Sequence, residues 1–529
     1  MRIIKTFLKN HLTFCFILFL YSFFFTSPTL ANNRIYYSEG MNGAISCGHP
    51  LAAKAAIEVL KDGGNAVDAA IAAAFVLGVV DFTNSGIGGE GFALIYHPSN
   101  KVIAIDGSTK RPLNDIKNEY NSNISLPAIP EMLLKMRRLY GSKSAKTLLK
   151  PAINICNNGF IITPYLEDII SQRIKNIKDI NALNLIAPNG KALKSGQILK
   201  QKKLGNTLTQ LSLDQGLSFY YGADSDKTLS DMKSKGSSYN KYDFMHYKSR
   251  LCKPVKVNYK NYEIYGNPLP SSSIATIKLA LKLLATNQPL LNQTYEDFFK
   301  QANICRDILD EKYYILSSYY NNPYDYLNSN ESKKSKSLVQ DIDDTNTTHL
   351  CVWDKNNMIV SMTLTLGNHF GTGQLAPGGF FYANSLRVFS RSVVNYPKDY
   401  PDNYGPLTTK SPIIVLKSKK PWLALGGAGA NRIITNTALM LARMIQDFGI
   451  EACINEPRYY MEFNSKIIME ENKKEPFKNV NLKLAIPNIE IKNYLHDYFG
   501  LLSAIFKPDL TEPLQAVGDK HRDGSCLAY

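Results

Sequence analysis

Closely spaced cysteines are absent from this sequence of 529 residues. Its 8 cysteines form no CxxC pair and no cysteine–histidine spacing typical of zinc sites, so we expect no metal and no cofactor. Apart from Cys15 near the N-terminus, the cysteines are widely scattered and leave at least one thiol unpaired. We interpret them as buried, reduced side chains, and they are Cys47, Cys156, Cys252, Cys305, Cys351, Cys453 and Cys526.

Acidic residues are scarce as well, with 45 Asp and Glu against 61 Lys and Arg and a formal net charge of +16. Lysine is spread along the chain, and no nucleic-acid-binding module or arginine-rich stripe is present, so we interpret the excess as a solvated basic surface. Glycine (33) and proline (25) are at ordinary levels, which excludes collagen-like and low-complexity classes. With 44% hydrophobic residues, the chain is predicted to be globular with a large core.

Long apolar runs are absent beyond the N-terminal segment. There Arg2, Lys5 and Lys9 precede an apolar stretch at 12–25, and the small-residue site Thr29-Leu30-Ala31 follows. This order predicts a secretory signal peptide over residues 1–31 and a secreted protein, periplasmic or extracellular. An uncleaved N-terminal anchor is the alternative.

Two glycine-rich segments are candidates for anion binding. Residues 86–91 match GxGxxG, but an alanine-rich helix precedes them and a strand follows, which is the reverse of a dinucleotide site. Residues 426–430 lie between a predicted strand and a predicted helix, where free backbone N–H groups can face a phosphate or an oxyanion. A plain tight turn explains the second segment equally well.

Hydrophobic periodicity predicts an α+β protein with stacked sheets and outer helices. Residues 331–346 are polar and read as an exposed linker, with a composition break near residue 346. A hairpin follows, with strands at 348–353 and 358–366 around a polar turn. The remaining predicted elements are helices at 51–61, 66–80 and 431–448 and strands at 92–96, 413–416 and 422–425.

Several motifs, taken in order, together resemble one family. The chain is similar to the γ-glutamyltransferases, or glutathione hydrolases, over essentially its whole length after the signal. The motifs that carry this resemblance are Gly63-Gly64-Asn65-Ala66-Val67-Asp68, Ser85-Gly86-Ile87-Gly88-Gly89, Thr347-Thr348-His349-Leu350-Cys351-Val352-Trp353-Asp354, Phe370-Gly371-Thr372-Gly373, Pro406-Leu407-Thr408-Thr409-Lys410-Ser411-Pro412, the loop 426–432 and the ending Arg522-Asp523-Gly524-Ser525-Cys526-Leu527-Ala528-Tyr529.

The resemblance implies an N-terminal nucleophile hydrolase, a four-layer αββα sandwich made as one precursor that cuts itself. The expected cut lies between Asn346 and Thr347. It would give a large subunit, 32–346, and a small catalytic subunit, 347–529, which remain partners. No nucleic acid and no membrane insertion after signal removal are expected.

A threonine at a new chain terminus suits amide chemistry. Its α-amine, with a pKa of about 7.7–8.0, can accept the proton of its own hydroxyl and so replace a separate base. A three-residue loop at 355–357 would pair Thr347 with Thr365, which matches the partner role that the resemblance gives Thr365. A two-residue loop would shift this register by one, and β propensity alone also explains threonines such as Thr363.

The resemblance also assigns residues around the nucleophile. It places the oxyanion hole at the backbone of Gly429 and Ala430, where the family has two glycines. It places Thr408 and Thr409 at a serine pair that binds the substrate α-carboxylate.

The sequence departs from the family pattern at several positions that bind the substrate in the family. Ser108 stands where the family has a carboxylate-binding arginine, with Lys110 and Arg111 close by. The asparagine expected two residues beyond Thr365 is Gly367, with Asn368 adjacent. Ser385 and Val388 stand at the two positions where the family has a polar residue and an aspartate that bind the substrate α-amine.

Three hypotheses follow. The first is a threonine-dependent amidohydrolase or acyltransferase for γ-glutamyl amides such as glutathione, with water, an amino acid or a peptide as acceptor. The second is an acylase for another amide, and the third is an unprocessed binding protein. We also expect a cover over the site between residues 390 and 408, with Tyr396, Tyr400 and Tyr404 either part of it or simply exposed.

Overall fold

The computed structural model describes residues 34–113, 122–291, 294–314, 319, 321–329, 345–389, 396, 399–462, 466–471, 488–492 and 497–529. The predicted signal peptide and residues 331–344 of the predicted linker lie outside these ranges, as do the side chains of 312–314 and 345. No helix within the described ranges is long and apolar enough to cross a membrane.

Thr347 lies in a central strand of an antiparallel sheet, the first sheet. Among the described residues this sheet has seven strands. In spatial order they are β19 (Ser525–Ala528), β2 (Gly43–Cys47), β10 (Thr345–Asp354), β11 (Ile359–Asn368), β3 (Glu90–His97), β4 (Lys101–Gly107) and β7 (Arg250–Cys252).

A second antiparallel sheet, also of seven described strands, packs on the first. In spatial order its strands are β1 (Tyr37–Gly40), β18 (Leu514–Gly518), β17 (Leu501–Phe506), β13 (Lys420–Ala428), β12 (Ile413–Lys417), β9 (Tyr262–Gly266) and β8 (Val255–Tyr259). Two small sheets contain β5 (Phe160–Ile161) with β6 (Ile198–Leu199), and β14 (Tyr459–Met461), β15 (Ile467–Glu470) and β16 (Ile489–Lys492).

Helices occupy the outer faces of the two sheets. The first group is α1 (Pro50–Lys61), α2 (Ala66–Val80), α3 (Ile129–Tyr140), α4 (Ala145–Asn158), α5 (Pro164–Arg173), α6 (Ile180–Ile186), α7 (Lys202–Asp214), α8 (Leu217–Tyr221), α9 (Ala223–Ser234) and α10 (Lys241–His246). The second is α11 (Ser273–Leu284), α12 (Tyr295–Tyr314), α13 (Pro323–Asn328), α14 (Arg432–Ile445) and α15 (Ile450–Asn455). Short 3₁₀ helices are Ile174–Asn176, Pro188–Gly190, Ser385–Phe389 and Asp497–Phe499.

Helix α2 shows how the sequence builds these layers. Asn65 caps it by accepting a hydrogen bond from the Asp68 amide at 3.0 Å, while the Asp68 carboxylate accepts one from the Asn65 amide at 3.0 Å. The helix is made almost entirely of small and apolar residues, and every residue in it is buried. A helix that is apolar all round belongs in the interior, where small side chains allow close approach.

Three hydrophobic clusters separate four layers. Leu350 and Val352 of β10 pack with α2 in the first cluster. In the second cluster, helices α11 and α14 pack on the second sheet. The third cluster, with Trp353, Ile414 and Ile505, fills the space between the two sheets. Two sheets facing each other with helices outside confirm the predicted four-layer αββα sandwich.

The predicted hairpin and helices are confirmed. Asp354 donates its amide to Met358 at 3.0 Å, so the loop has the three residues predicted. The prediction of an exposed linker is wrong at its C-terminal end, because Asn346 is only 5% exposed and lies in β10, where it pairs with Gly367. The apolar strand that follows draws the junction into the sheet.

We expect the layer between the sheets to contribute strongly to stability. Ile414→Ala removes a fully buried side chain and should lower the free energy of unfolding by about 2–5 kcal/mol, measured by denaturant titration. Leu251→Ala is the control, because Leu251 is 47% exposed on an edge strand and should change it by well under 1 kcal/mol. Equal losses in the two variants would contradict this assignment of the core.

Candidate active site

Thr347 faces the space between the two sheets. Along β10, Leu350 and Val352 point to the helical layer, whereas Cys351 and Trp353 point to the layer between the sheets. Side chains alternate between the two faces of a strand, and Thr347 lies an even number of residues before Cys351 and Trp353. It therefore faces the space between the sheets. Thr347 is only 2% exposed.

The register predicted from the loop length is confirmed, since Thr347 pairs with Thr365. A register shift between Asn346 and Thr347 then pairs Asn346 with Gly367, which leaves Leu366 as an extra residue in β11. The Thr365 hydroxyl donates a hydrogen bond to the carbonyl oxygen of Asn346 and accepts one from the Gly367 amide at 2.9 Å. The peptide bond between Asn346 and Thr347 is thus held by a polarising donor.

Arg522 contacts both residues that flank this peptide bond. Its Nη1 donates to the Thr347 carbonyl at 2.9 Å and its Nη2 donates to Asn346 Oδ1 at 2.8 Å. Its Nε lies 2.6 Å from Asp497 Oδ1. A buried guanidinium is stabilised only when such partners compensate its lost hydration.

Asp497 connects Arg522 to a wider polar network. Its Oδ2 accepts a hydrogen bond from His369 Nε2 at 2.9 Å, and its Oδ1 accepts one from the Tyr165 hydroxyl at 3.2 Å. Burial alone would raise the pKa of Asp497, but the charges of Arg522 and His369 outweigh it and hold the pKa well below its usual range. Asp497 is therefore an ionised carboxylate.

Asp81 lies at the far end of this network. Asn84 joins the two parts, because its Nδ2 contacts Tyr165 Oη at 3.0 Å and Asp81 Oδ1 at 2.6 Å. Burial raises the pKa of Asp81 to about 7. Near neutral pH Asp81 is therefore partly protonated, so the network of Asp81 and Asp497 carries less negative charge than two ionised carboxylates would.

His349 is the histidine nearest to Thr347 along the strand, and it does not serve as a base. Its Nδ1 bonds the Thr363 hydroxyl at 2.8 Å, and its ring packs against Gly426 of the second sheet. Burial lowers its pKa to about 3, so the ring is neutral. Thr363 thus has a structural partner, consistent with its prediction as a strand residue.

The second glycine segment lies at the end of β13, which packs against β10. Gly429 and Ala430 both have positive φ, 115° and 56°, before α14 begins. In the described part of the chain neither amide donates to a backbone acceptor. A Cβ on Gly429 would lie 2.7 Å from Gly500 Cα, so this close approach requires glycine.

Ser108 belongs to a buried charged cluster. Its hydroxyl bonds Asp106, and Lys110 Nζ lies 3.1 Å from Ser108 Oγ and 3.4 Å from Asp106 Oδ2. Arg250 donates to Asp106 Oδ2 through Nε at 2.9 Å and Nη2 at 2.6 Å. Burial raises the pKa of Asp106, but Lys110 and Arg250 outweigh it and lower the pKa to about 2. Arg111 instead stacks on Phe389, 4.3 Å from the ring centre.

Residues 400–407 cover this cluster. A Cβ on Gly405 would lie 2.2 Å from Ser108 Oγ, and the Tyr400 hydroxyl holds the Gly405 carbonyl at 3.0 Å. Tyr404 stacks on Arg250, whose guanidinium carbon is 3.8 Å from the ring centre. Tyr400 is 5% exposed, so the alternative of a simple surface tyrosine is wrong there.

The other predicted binding residues lie on three separate segments, at 368, 385–388 and 408–409. Thr409 is buried, and the Thr408 hydroxyl accepts a hydrogen bond from the Lys410 amide at 3.3 Å. Ser385 is buried at the start of a 3₁₀ helix, and Val388 packs in the hydrophobic cluster of the second sheet. The backbone N–H of Asn368 donates a hydrogen bond to Asn384 Oδ1 at 3.0 Å.

Sequence reasoning missed the residues that hold the junction. The resemblance includes Arg522 only as part of the family ending, and no sequence motif points to Asp497 or His369. Arg522 and Asp497 are 25 positions apart, but the contacts from Arg522 to Thr347 and Asn346 and from His369 to Asp497 span 128 positions or more. Arg522 lies in the polar segment 519–525, whose several charged residues do not single it out.

The cysteines agree with the prediction of reduced thiols. All seven in the described residues are free. Cys252 is half-buried, and the others are buried.

Comparisons with known proteins give one consistent result. A family model described as gamma-glutamyltranspeptidase matches residues 52–529. The capsule biosynthesis protein CapD proenzyme of Bacillus anthracis is 29% identical over 496 residues, covering 91% of this chain and 90% of the relative. The glutathione hydrolase proenzyme of Bacillus subtilis is 27% identical, covering 82% of this chain and 83% of that protein.

Solved structures agree on the fold. The crystal structure of cephalosporin acylase from Bacillus halodurans superposes with a TM-score of 0.81 at 21% identity, covering 94% of this chain and 97% of that one. The family match spans most of the chain. The chain therefore belongs to the gamma-glutamyltranspeptidase family and is an enzyme.

Proposed function

We propose that the chain is an amidohydrolase or acyltransferase that uses Thr347 as its nucleophile after cutting itself at Asn346–Thr347. The observation that carries this proposal is the hydrogen bond from Thr365 to the Asn346 carbonyl, directly beside the Thr347 side chain. A carbonyl held by a buried donor is the expected target of an adjacent hydroxyl. A purely structural strand pair has no need of this arrangement.

The proposed cut proceeds by attack of Thr347 Oγ on the Asn346 carbonyl carbon. The C–N bond breaks as the C–O bond forms, and the proton of the hydroxyl passes to the freed nitrogen. Water then hydrolyses the ester, which leaves the Asn346 carboxylate and the Thr347 α-amine. The products are a large subunit ending at 346 and a small subunit, 347–529.

In turnover the freed α-amine accepts the Thr347 hydroxyl proton as the oxygen attacks the substrate amide. The proton then passes to the leaving amine, and water or an amine acceptor releases the acyl group from Thr347. The amides of Gly429 and Ala430, which donate to no backbone acceptor among the described residues, are suited to hold the oxyanion. Thr365 would then orient the nucleophile.

The acyl group we propose first is γ-glutamyl, because glutathione hydrolase proenzymes are among the relatives. The buried cluster supports a substrate carboxylate. Asp106, Lys110 and Arg250 carry charges of −1, +1 and +1, which leave one net positive charge beside Ser108. Lys110 thereby takes over the charge, though not the fork geometry, of the family arginine. Thr408 and Thr409 lie on the segment that follows the cover.

A second candidate is an acyl group that keeps this carboxylate but lacks a charged amine. Val388 packs in a hydrophobic cluster where the family pattern has an aspartate, so no carboxylate at that position pairs with an ammonium group. Ser385 and Asn368 offer only neutral groups. An unpaired ammonium would lose about 1.5–3 kcal/mol for each missing charge-assisted bond.

We further propose that residues 1–31 direct export to the periplasm or the medium. The basic n-region, the apolar stretch and the small-residue site support this proposal.

Cutting should depend on the Thr347 hydroxyl. Thr347→Ala should remain a single uncut chain, whereas Thr347→Ser, which keeps a hydroxyl, should still cut, and intact mass spectrometry reads both. Thr365→Val removes the donor to the Asn346 carbonyl and should slow cutting by roughly 10²-fold. Normal maturation of Thr347→Ala would overturn the nucleophile proposal.

Two anilides that differ only in the α-amine should separate the candidate acyl groups. If γ-glutamyl is the natural group, γ-glutamyl p-nitroanilide should exceed glutaryl p-nitroanilide in kcat/KM by about tenfold or more. If the second candidate holds, the order reverses. Butyryl p-nitroanilide, which lacks the carboxylate, is the control, and the cluster around Lys110 should make it the poorest substrate. Equal rates for all three would contradict both candidates.

The glycine segment offers a matched pair of variants. Gly429→Ala places a Cβ against Gly500 at a φ of 115° and should lower both the unfolding temperature and turnover, the latter by roughly tenfold or more. Ala430→Gly relieves a positive φ of 56° and keeps the amide, so turnover should stay within about threefold. Thermal unfolding and anilide release measure the two effects, and equal behaviour would count against the oxyanion role.

A further inference from the structure

A buried cluster of four charged side chains lies next to Arg522 and has no part in the proposed chemistry. Its members are His521, Asp519, Glu470 and Arg458, and each is 6% exposed or less. They come from three parts of the chain, namely the segment before β19, strand β15 and the residue before β14. Ionisable groups are costly to bury together unless their charges compensate one another.

His521 contacts a carboxylate through each of its ring nitrogens. Its Nδ1 lies 2.6 Å from Asp519 Oδ1, and its Nε2 lies 2.7 Å from Glu470 Oε1. A neutral imidazole has one N–H and could donate to only one of them, whereas an imidazolium donates to both. Burial and the charge of Arg458 lower the pKa of His521, but Asp519 and Glu470 outweigh them, so the pKa is raised. His521 is therefore a charged imidazolium.

Asp519 links this imidazolium to Arg458. Its Oδ1 also accepts a hydrogen bond from the His521 amide at 2.9 Å, while its Oδ2 accepts one from Arg458 Nη2 and one from the Leu502 amide, the latter at 2.6 Å. Burial would raise the pKa of Asp519, but Arg458 and His521 hold that pKa below its usual range. With His521 protonated, the two positive and two negative charges of the cluster cancel.

The cluster holds both members of the Arg522–Asp497 pair. His521 directly precedes Arg522, whose φ of 55° lies in the left-handed region and persists only where tertiary contacts enforce it. Arg458 Nη1 donates to the carbonyl oxygen of Gly500 at 3.2 Å, next to the 3₁₀ helix that carries Asp497. The cluster thus fixes the two segments whose side chains pair beside the junction.

We propose that His521 is a positioning residue for the cut, a buried cation that fixes Arg522 and Asp497 and thereby the Asn346–Thr347 peptide. This inference rests on the proposed cut at that peptide. Loss of the imidazolium proton leaves one carboxylate without its donor and gives the cluster a net negative charge. The guanidinium is then no longer fixed against the peptide.

The cut should therefore slow as the pH rises. Because the pKa of His521 is raised above its usual 6.5, the charge is complete below about 6.5 and is lost as the pH passes the folded-state pKa. Asp81, with a pKa of about 7, also titrates in the junction network, so variants must assign the effect. The ionisable groups around the His521 ring are Glu470 of β15, Arg458 before β14, Asp497 on the 3₁₀ helix through Arg522, and Asp519, Lys520, Arg522 and Asp523 on its own segment.

The test follows cutting of the newly synthesised full-length chain by intact mass spectrometry across a pH series. Glu470→Gln keeps an acceptor for Nε2 but removes one charge, so the alkaline fall in rate should move to lower pH by about one pH unit or more. Glu490→Gln is the matched control, because Glu490 lies on the neighbouring strand β16 and pairs with Lys466 and Lys492 instead. Its profile should match that of the unchanged chain.

His521→Gln removes the cation itself. It should slow cutting by roughly tenfold or more at the acidic end of the series and abolish the fall that His521 causes at the alkaline end. The near-isosteric Glu470→Gln keeps the test independent of whether His521→Gln folds. Identical pH profiles for Glu470→Gln and Glu490→Gln would overturn the inference.

Nitrogen NMR of the histidine side chains reads the charge without any cutting, in the Thr347→Ala chain. His521 should show two protonated ring nitrogens at pH 6.5 and should lose one proton only at higher pH, and His521→Gln identifies the signal. A neutral His521 at that pH would also overturn the inference. A chain with Thr347 that cuts at no pH would overturn the proposed cut and this inference with it, whereas a cutting chain with unshifted profiles overturns this inference alone.

Discussion

The hydrogen bond from Thr365 to the Asn346 carbonyl exists only because β10 and β11 pair in one register. A slip by one residue would turn Thr347 toward the helical layer and bring Leu364 or Leu366 opposite it. The short loop after Asp354 sets the pairing, and apolar residues on both faces of β10 lock it between α2 and the second sheet. The register shift at Asn346 then places a bulge at the Asn346–Thr347 peptide.

Burial makes each polar contact at this junction consequential. Asn346 and Thr347 are almost inaccessible to solvent, so their polar groups must find partners within the protein. Arg522 supplies two of them, and Asp497 compensates its charge. Removing one partner of such a pair leaves a buried charge, which costs far more than the pair itself contributes. This dependence explains why a residue close to the C-terminus controls the geometry of the chain centre.

Local patterns predicted the elements well. The loop at 355–357 fixed the hairpin register, and the alanine-rich run gave α2 its observed bounds, because both depend on neighbours in sequence. The family motifs predicted roles for Thr347, Thr365 and the glycine segment; the pairing of Thr347 with Thr365 is confirmed, and the roles stay predictions. Long-range contacts were not predictable in this way. The burial of Asn346, the pairing of Arg250 with Asp106 and the cover that Gly405 places on Ser108 arise only when distant segments meet.

The strands on either side of Thr347 are interleaved in both sheets. In the first sheet β2, from before the junction, lies between β19 and β10, and in the second β1 pairs with β18. Neither half can therefore complete a sheet or a core alone, and the junction is assembled only after both halves have found their places. Scission at this bond would therefore depend on correct folding of both halves. A misfolded chain could not activate itself, and every cut chain would have reached the folded state before it was cut.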